Sequence, residues 1–277
     1  MSVVIEDLVD GRRWERDGDS VCAAASTIKV PVMIAAFRLK DAGRLNHAAL
    51  VRVAWSSAAG GSGVVKELHD GVELSVLDLI TLMIIISDNT ATNAVLDMVG
   101  FEDATSAAQS VGATSTVIRR KLLGGPFYER PDYSLAIDNV TSASDMVAIA
   151  RSIHVGTAAS PGSCKEMLGI LLRQQVNDRL PLRLPQGARV AHKTDEFQTT
   201  RHDIGVVYPT GNTHPYAIAM LTKDLKDVIT ASCQLADASR AILSRAGRRV
   251  PPLARPGTRP CTACGLRSPR TRCPAVS

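Results

Sequence analysis

Ser26 and Lys29 stand three residues apart in "AAASTIKVPVMIAAF" (Ala23–Phe37), at the head of an apolar run. At i, i+3 on a helix the two side chains share a face. A serine hydroxyl is a weak nucleophile unless a neighbouring base takes its proton. A lysine becomes that base when burial lowers its pKa towards neutrality, and Val30, Pro31, Val32 and Ile34 supply apolar surroundings. The plain alternative is a capping serine followed by a solvated lysine; the pair alone favours that alternative. A second polar group is "SDN", Ser87-Asp88-Asn89, which follows "LITLMIII" (Leu79–Ile86), a run too apolar to be exposed. It reads as a turn and cap for the next helix, or as a serine relaying a proton to a leaving group beside an asparagine that holds a substrate amide. The third is "HKTD", His192–Asp195, on a strand pattern. Lys193 is there either an edge charge or a cation that anchors a substrate carboxylate.

The elements that must position these residues follow from period and punctuation. "SVVIEDLVDGRRWERD" predicts a β-hairpin turning at Asp10-Gly11. A helix is expected from about Ser26, as its cap, to Ala42, with Pro31 in its first turn and Gly43 at its end. "SSAAGGSG" (Ser56–Gly63) is a loop, and Glu73–Ile86 a buried helix. Asn89 or Thr90 starts the next helix, which Gly100 ends; Gly124–Asn139 is a long loop without period. Two helices follow, "ASDMVAIARSIH" and "SPGSCKEMLGILLRQQ". Then come three strands, "ARVAHKTD", "RHDIGVVYP" and "HPYAIAMLTK", and a closing amphipathic helix, "DVITASCQLADASRAILSRAG". This order predicts an α+β fold in α/β/α layers, with an antiparallel sheet built from both chain ends and an all-α region inserted between them. Residues 1–247 would form one domain, its α/β part about 1–40 and 188–247 and its all-α part about 41–187.

Composition narrows the function classes. Of the net charge of +5, seven arginines fall in residues 248–277, which hold no Asp or Glu; the body, 1–247, therefore carries −2. A mildly acidic body without a basic cluster argues against nucleic acid as partner. The 248–277 stretch also holds six of the 14 prolines and reads as a disordered tail. Cys261, Cys264 and Cys273 lie in it without a histidine, an incomplete zinc set, and no metal or organic cofactor is expected. The first twenty residues lack an apolar signal region, and Leu79–Ile86 is too short to span a bilayer. The chain as written is expected to be cytoplasmic and monomeric, or secreted or periplasmic if its start is truncated.

Taken together, S-x-x-K, S-D-N and K-T, in that order on helix, loop and strand, resemble the signature set of the serine β-lactamase-like superfamily, closest to class A β-lactamases and penicillin-binding proteins. The resemblance runs from about Val3 to Ala246. It implies a class A β-lactamase-like fold and a serine hydrolase that opens a β-lactam ring, or another small amide or ester, through a Ser26 acyl-enzyme. It further implies Lys29 as base or relay, Ser87 helped by Lys193 as proton donor to the leaving nitrogen, and Asn89 on the substrate amide. Lys193 and Thr194 would hold the substrate carboxylate, and the backbone N–H groups of Ser26 and Glu196 would form the oxyanion hole.

Departures from the family pattern leave alternatives open. The K-T-G glycine is Asp195 here, a charge that would cost affinity for a substrate carboxylate unless it points away or pairs with Arg201 or His202. The E-x-x-L-N string of the deacylating glutamate is missing; Glu129 and Asp132 lie in the corresponding loop without its neighbours, and of the two Glu129 is the candidate deacylation base. An esterase, a D-alanyl peptidase-like enzyme, another amidohydrolase, or a penicillin-binding protein or sensor that acylates and deacylates slowly would use the same Ser-Lys pair.

Overall fold

Both chain ends contribute strands to one sheet. The computed structural model describes residues 1–122, 134–211 and 214–246, and everything below concerns those residues. In chain order the elements are β1 (Ser2–Asp7), β2 (Arg13–Arg16), β3 (Cys22–Ala23), α1 (Lys29–Asp41), β4 (Leu50–Val53), β5 (Val72–Ser75), α2 (Val76–Ile85), α3 (Asn89–Val99), α4 (Phe101–Gln109), β6 (Val140–Thr141), α5 (Ala143–His154), α6 (Pro161–Leu171), β7 (Arg189–Phe197), β8 (Thr200–Tyr208), β9 (Tyr216–Leu221) and α7 (Val228–Ala246). The main sheet has the order β2-β1-β9-β8-β7 and every pairing in it is antiparallel. Helices α1 to α6 all fall between β1 and β7 in sequence, the inserted helical region expected from the order of elements.

Both faces of the sheet are covered, and its strands show it. On β9, Ala217, Ala219 and Leu221 enter the larger core with α1 and α5, while Tyr216, Ile218 and Met220 enter a smaller core with Leu235 of α7. Alternation of this kind, apolar on both sides, marks a strand sandwiched between layers. α1 is buried on nearly all sides, from Lys29 to Phe37 and again at Leu39. It is the central helix of the larger core, which explains why its sequence lacks a polar stripe.

Sequence expectation and structure part at several boundaries. Ser26 does not cap α1: it lies in a 3₁₀ turn, Ala25–Ile28, and its hydroxyl faces Lys29. The stretch read as helix from Glu73 begins instead as β5, paired with β4, and Ser75 caps α2 with Asp78 in a reciprocal capping box. α3 does start at Asn89 and is ended by Gly100, as expected, with Asp88 as its cap. α4 was not expected at all; its "FEDATSAAQ" is small and polar, and its burial is confined to Ala104, Ala107 and Ala108. The expected tail, with Cys261, Cys264 and Cys273, and the loop residues Glu129 and Asp132 lie outside the described residues. No described helix is long and apolar enough to cross a membrane.

Candidate functional site

Three separate elements bring the three motifs together. Ser26, half-buried, sits at the turn into α1, Ser87 at the break between α2 and α3, and Lys193 on the edge strand β7. Lys29 is fully buried, and its Nζ lies 3.1 Å from Ser26 Oγ, 2.8 Å from Ser87 Oγ, 2.7 Å from Ser87 O and 2.8 Å from Asn89 Oδ1. Lys193, also fully buried, donates from Nζ to Ser87 Oγ at 3.0 Å and to Thr194 O at 2.6 Å. Ser87 Oγ therefore receives two amines.

Burial pushes the Lys29 amine well below its ordinary range, and the neighbouring Lys193 charge adds to the effect. Lys193 falls to about 7, again chiefly by burial, with Asp195 and Asp203 pulling the other way. Two ammonium groups sharing one hydroxyl in a dry site repel each other. A neutral Lys29 has a lone pair to offer Ser26 Oγ–H, the longest of its four contacts, while its two N–H groups are shared among Ser87 O, Ser87 Oγ and Asn89 Oδ1.

The "SDN" segment is held by the loop before it. Asp88 Oδ1 accepts from Ala91 N at 2.9 Å as the helix cap, and Oδ2 accepts from Val64 N at 2.6 Å and Val65 N at 2.9 Å. Gly63, at φ +119°, passes so close that a Cβ there would stand 2.3 Å from the Asp88 carboxyl; only glycine fits. Asn89 Nδ2 donates to Gly60 O at 2.7 Å, so both ends of its amide are engaged. Ser87 and Ala25 adopt left-handed backbone conformations, φ 59° and 41°. Each costs about 1 kcal/mol or more for a residue with a Cβ. Such strain concentrates where side chains are held for chemistry.

The far wall is β7. Ala191, Lys193 and Asp195 share the sheet face that looks towards α1, and Thr194 is buried beside them. Asp195 does not pair with Arg201. Its Oδ1 accepts the backbone N–H of Ser26 at 3.0 Å, its Oδ2 accepts from Thr200 Oγ1 at 2.8 Å, and His202 Nε2 stands 4.0 Å away. Arg201 is turned to other tasks: it donates to Phe197 O, Thr200 O and Glu196 Oε1. His202 is satisfied by Ala23 O and Thr222 N. Glu196 continues β7 opposite Arg201.

One group near the site gave no sequence signal. Arg179 is fully buried, none of its guanidinium nitrogens has a hydrogen-bond partner, and its charge is felt at Lys193. Asp178 Oδ1 stands 3.2 Å from its Nη1 and Glu196 Oε2 3.9 Å from its Nη2, an ion-pair contact on each side. A buried guanidinium with ion-pair contacts and no well-directed hydrogen bond keeps N–H donors unused. It comes from the irregular "NDRLPLRLP", where neither period nor motif marks it. For metals, the grouping among the described residues is Asp7, Asp10 and His214, whose ligand atoms lie within 4.8 Å. There Asp7 already accepts from Val9 N, Asp10 N and His214, as a turn carboxylate does.

Comparison with known proteins agrees with this arrangement. The model of the β-lactamase enzyme family matches residues 1–250. A β-lactamase from Sphaerobacter thermophilus is 32% identical, covering 89% of this chain and 91% of its own, with a TM-score of 0.82. The protein PBP-A is 30% identical over 88% of each chain, TM-score 0.78. A mutant of the reconstructed class A β-lactamase of the last common ancestor of Gram-negative bacteria is 26% identical, covering 90% of this chain and 93% of its own, TM-score 0.80. None of the curated proteins matches. The chain belongs to the β-lactamase enzyme family, a member of the serine β-lactamase-like superfamily and a serine hydrolase by kinship.

Proposed function

We propose that this chain hydrolyses small amides, β-lactams foremost, through an acyl-enzyme on Ser26. The observation that carries the reading is the contact of one buried, pKa-lowered amine, Lys29, with both Ser26 Oγ and Ser87 Oγ. Lys29 takes the Ser26 proton as Oγ attacks the carbonyl carbon. The proton passes to Ser87 Oγ, which gives its own hydrogen to the departing nitrogen as the C–N bond breaks. Because Ser87 Oγ accepts from both lysines, its own O–H is left to donate outward. Lys193, with Thr194 and the Arg179 guanidinium, offers positive charge to a substrate carboxylate; Asn89 faces the substrate amide after yielding its bond to Gly60 O.

A second reading keeps acylation and slows release, as in a penicillin-binding protein. The sequence favours it by lacking E-x-x-L-N, and a mutant of the similar PBP-A is known as an acyl-enzyme with penicillin G. Mass spectrometry of the protein with benzylpenicillin tests both. A covalent adduct on Ser26 is expected; its persistence over hours selects slow release, its rapid loss selects β-lactamase turnover. No adduct, or one that survives Ser26→Ala, overturns the assignment of Ser26.

A further inference from the structure

Asp195 stands where the sequence pattern of the superfamily has glycine, and its carboxylate is turned towards the nucleophile. Strand alternation puts it on the face of Lys193; the carboxylate is then fixed by Ser26 N–H on one oxygen and by the Thr200 hydroxyl on the other. Its side chain is 1% exposed. The Ser26 N–H is the donor that a tetrahedral oxyanion on Ser26 needs. An internal carboxylate competes for it twice: it occupies the hydrogen bond, and it sets a negative charge where negative charge must develop. Its field also favours the charged forms of both Lys29 and Lys193.

We propose that Asp195 is a specificity-determining residue: it masks the Ser26 N–H and slows acyl donors that carry a carboxylate on the carbon next to the leaving nitrogen, relative to matched donors without one. The inference rests on Ser26 being the nucleophile. An incoming carbonyl oxygen takes the N–H, and the Asp195 side chain must turn aside while remaining next to Lys193 and Thr194. An uncharged donor meets only that displacement; an anionic donor also meets a like charge inside a desolvated cleft. Lys193 and Arg179 attract the anion, and Asp195 also favours the charged form of Lys193, so the comparison is made on the acid side of pH 7, where Lys193 holds its charge more fully.

Benzylpenicillin and its methyl ester form a matched pair that differs in that one charge. Their rates of Ser26 acylation, followed by intact-protein mass spectrometry, are compared in the wild type, Asp195→Asn and Asp195→Gly. Asn keeps the shape and an acceptor for Ser26 N–H; Gly removes both charge and mask. Any shift in Lys29 basicity acts on both reagents and cancels in their ratio; a loss of Lys193 charge would lower the penicillin rate alone, so the ratio is followed from pH 7 downwards until it no longer changes with pH. The ratio of penicillin to ester rates is expected to rise by roughly tenfold or more in both variants, and the ester rate itself to rise further in Asp195→Gly than in Asp195→Asn. A ratio unchanged within about twofold in variants that melt like the wild type overturns the proposal, as does a fall in both rates. If Asp195→Gly alone unfolds, the Asn ratio decides. Labelling that persists in Ser26→Ala, or is absent with every reagent, removes the nucleophile assignment itself and the proposal with it.

Discussion

Two lysines buried within reach of one serine hydroxyl make the residue-scale chemistry depend on protons. Lys29 can take a proton only when neutral, and Lys193 can hold an anion only when charged. Lys193 sits at about 7 and Lys29 well below its ordinary value, so acylation by benzylpenicillin should pass through a maximum. The acid limb follows deprotonation of Lys29. The alkaline limb follows loss of the Lys193 charge near pH 7, and it should be weaker with the methyl ester, which has no carboxylate to anchor; rate–pH profiles with the two reagents check this. Lys29→Ala should lower the acylation rate by roughly 10²–10⁴, with the fold kept. Folding responds to the same burial. Between pH 7 and the ordinary lysine range the unfolded chain binds a proton at Lys193 that the folded one does not, so stability rises with pH across that window. Urea unfolding at pH 6, 8 and 9.5 should show the wild type gaining on Lys193→Met as pH increases. At this scale the sequence supplied Ser26, Lys29, Ser87 and Lys193 by residue type and motif spacing. It could not supply Arg179, which has no pattern around it, or the direction of Asp195, which depends on what lies across from β7.

Elements place these residues by their ends rather than their middles. Ser26 precedes α1, Ser87 separates α2 from α3, and Lys193 occupies an edge strand. α2 delivers Ser87, and its start is fixed by the Ser75–Asp78 box, with Asp78 N donating to Ser75 Oγ at 3.1 Å. Ser75→Ala should cost about 1 kcal/mol and lower the melting temperature by about 2–4 °C, measurable by calorimetry. The periodic elements were readable: the hairpin, α1, α5, α6 and the three-strand meander all stand where their patterns predict. β5 was absorbed into a helix because "VELS" runs without a break into "VLDLITLMII". α4 escaped because alanine-rich burial leaves little periodic contrast.

At the scale of the whole molecule, the sheet divides two cores with different duties. The larger one carries α1 and with it the Ser26–Lys29 pair; the smaller joins the opposite face to α7 through Leu235, Ile218 and Val207. Leu235→Ala should therefore destabilise the fold by about 2–4 kcal/mol while leaving Ser26 acylation, measured well below the melting point, within about twofold. Thermal unfolding and labelling of the same sample check both halves.

The short pairing of β3 with β6 has a further meaning. Cys22 and Ala23 pair with Thr141 and Val140, and Ala24 N donates to Asn139 O at 2.9 Å, so the chain just before Ser26 is fastened to the chain returning from residue 134. On the outgoing side, Asn93 exchanges two hydrogen bonds of 2.8 Å with Leu122, and Asn139 Oδ1 accepts from Arg119 N and Arg120 N. Asn139 thus ties departure and return to each other and to the approach to Ser26. One asparagine is therefore a three-way splice: loosening it would slacken the segment that carries Ser26 and the Arg119–Arg120 segment together.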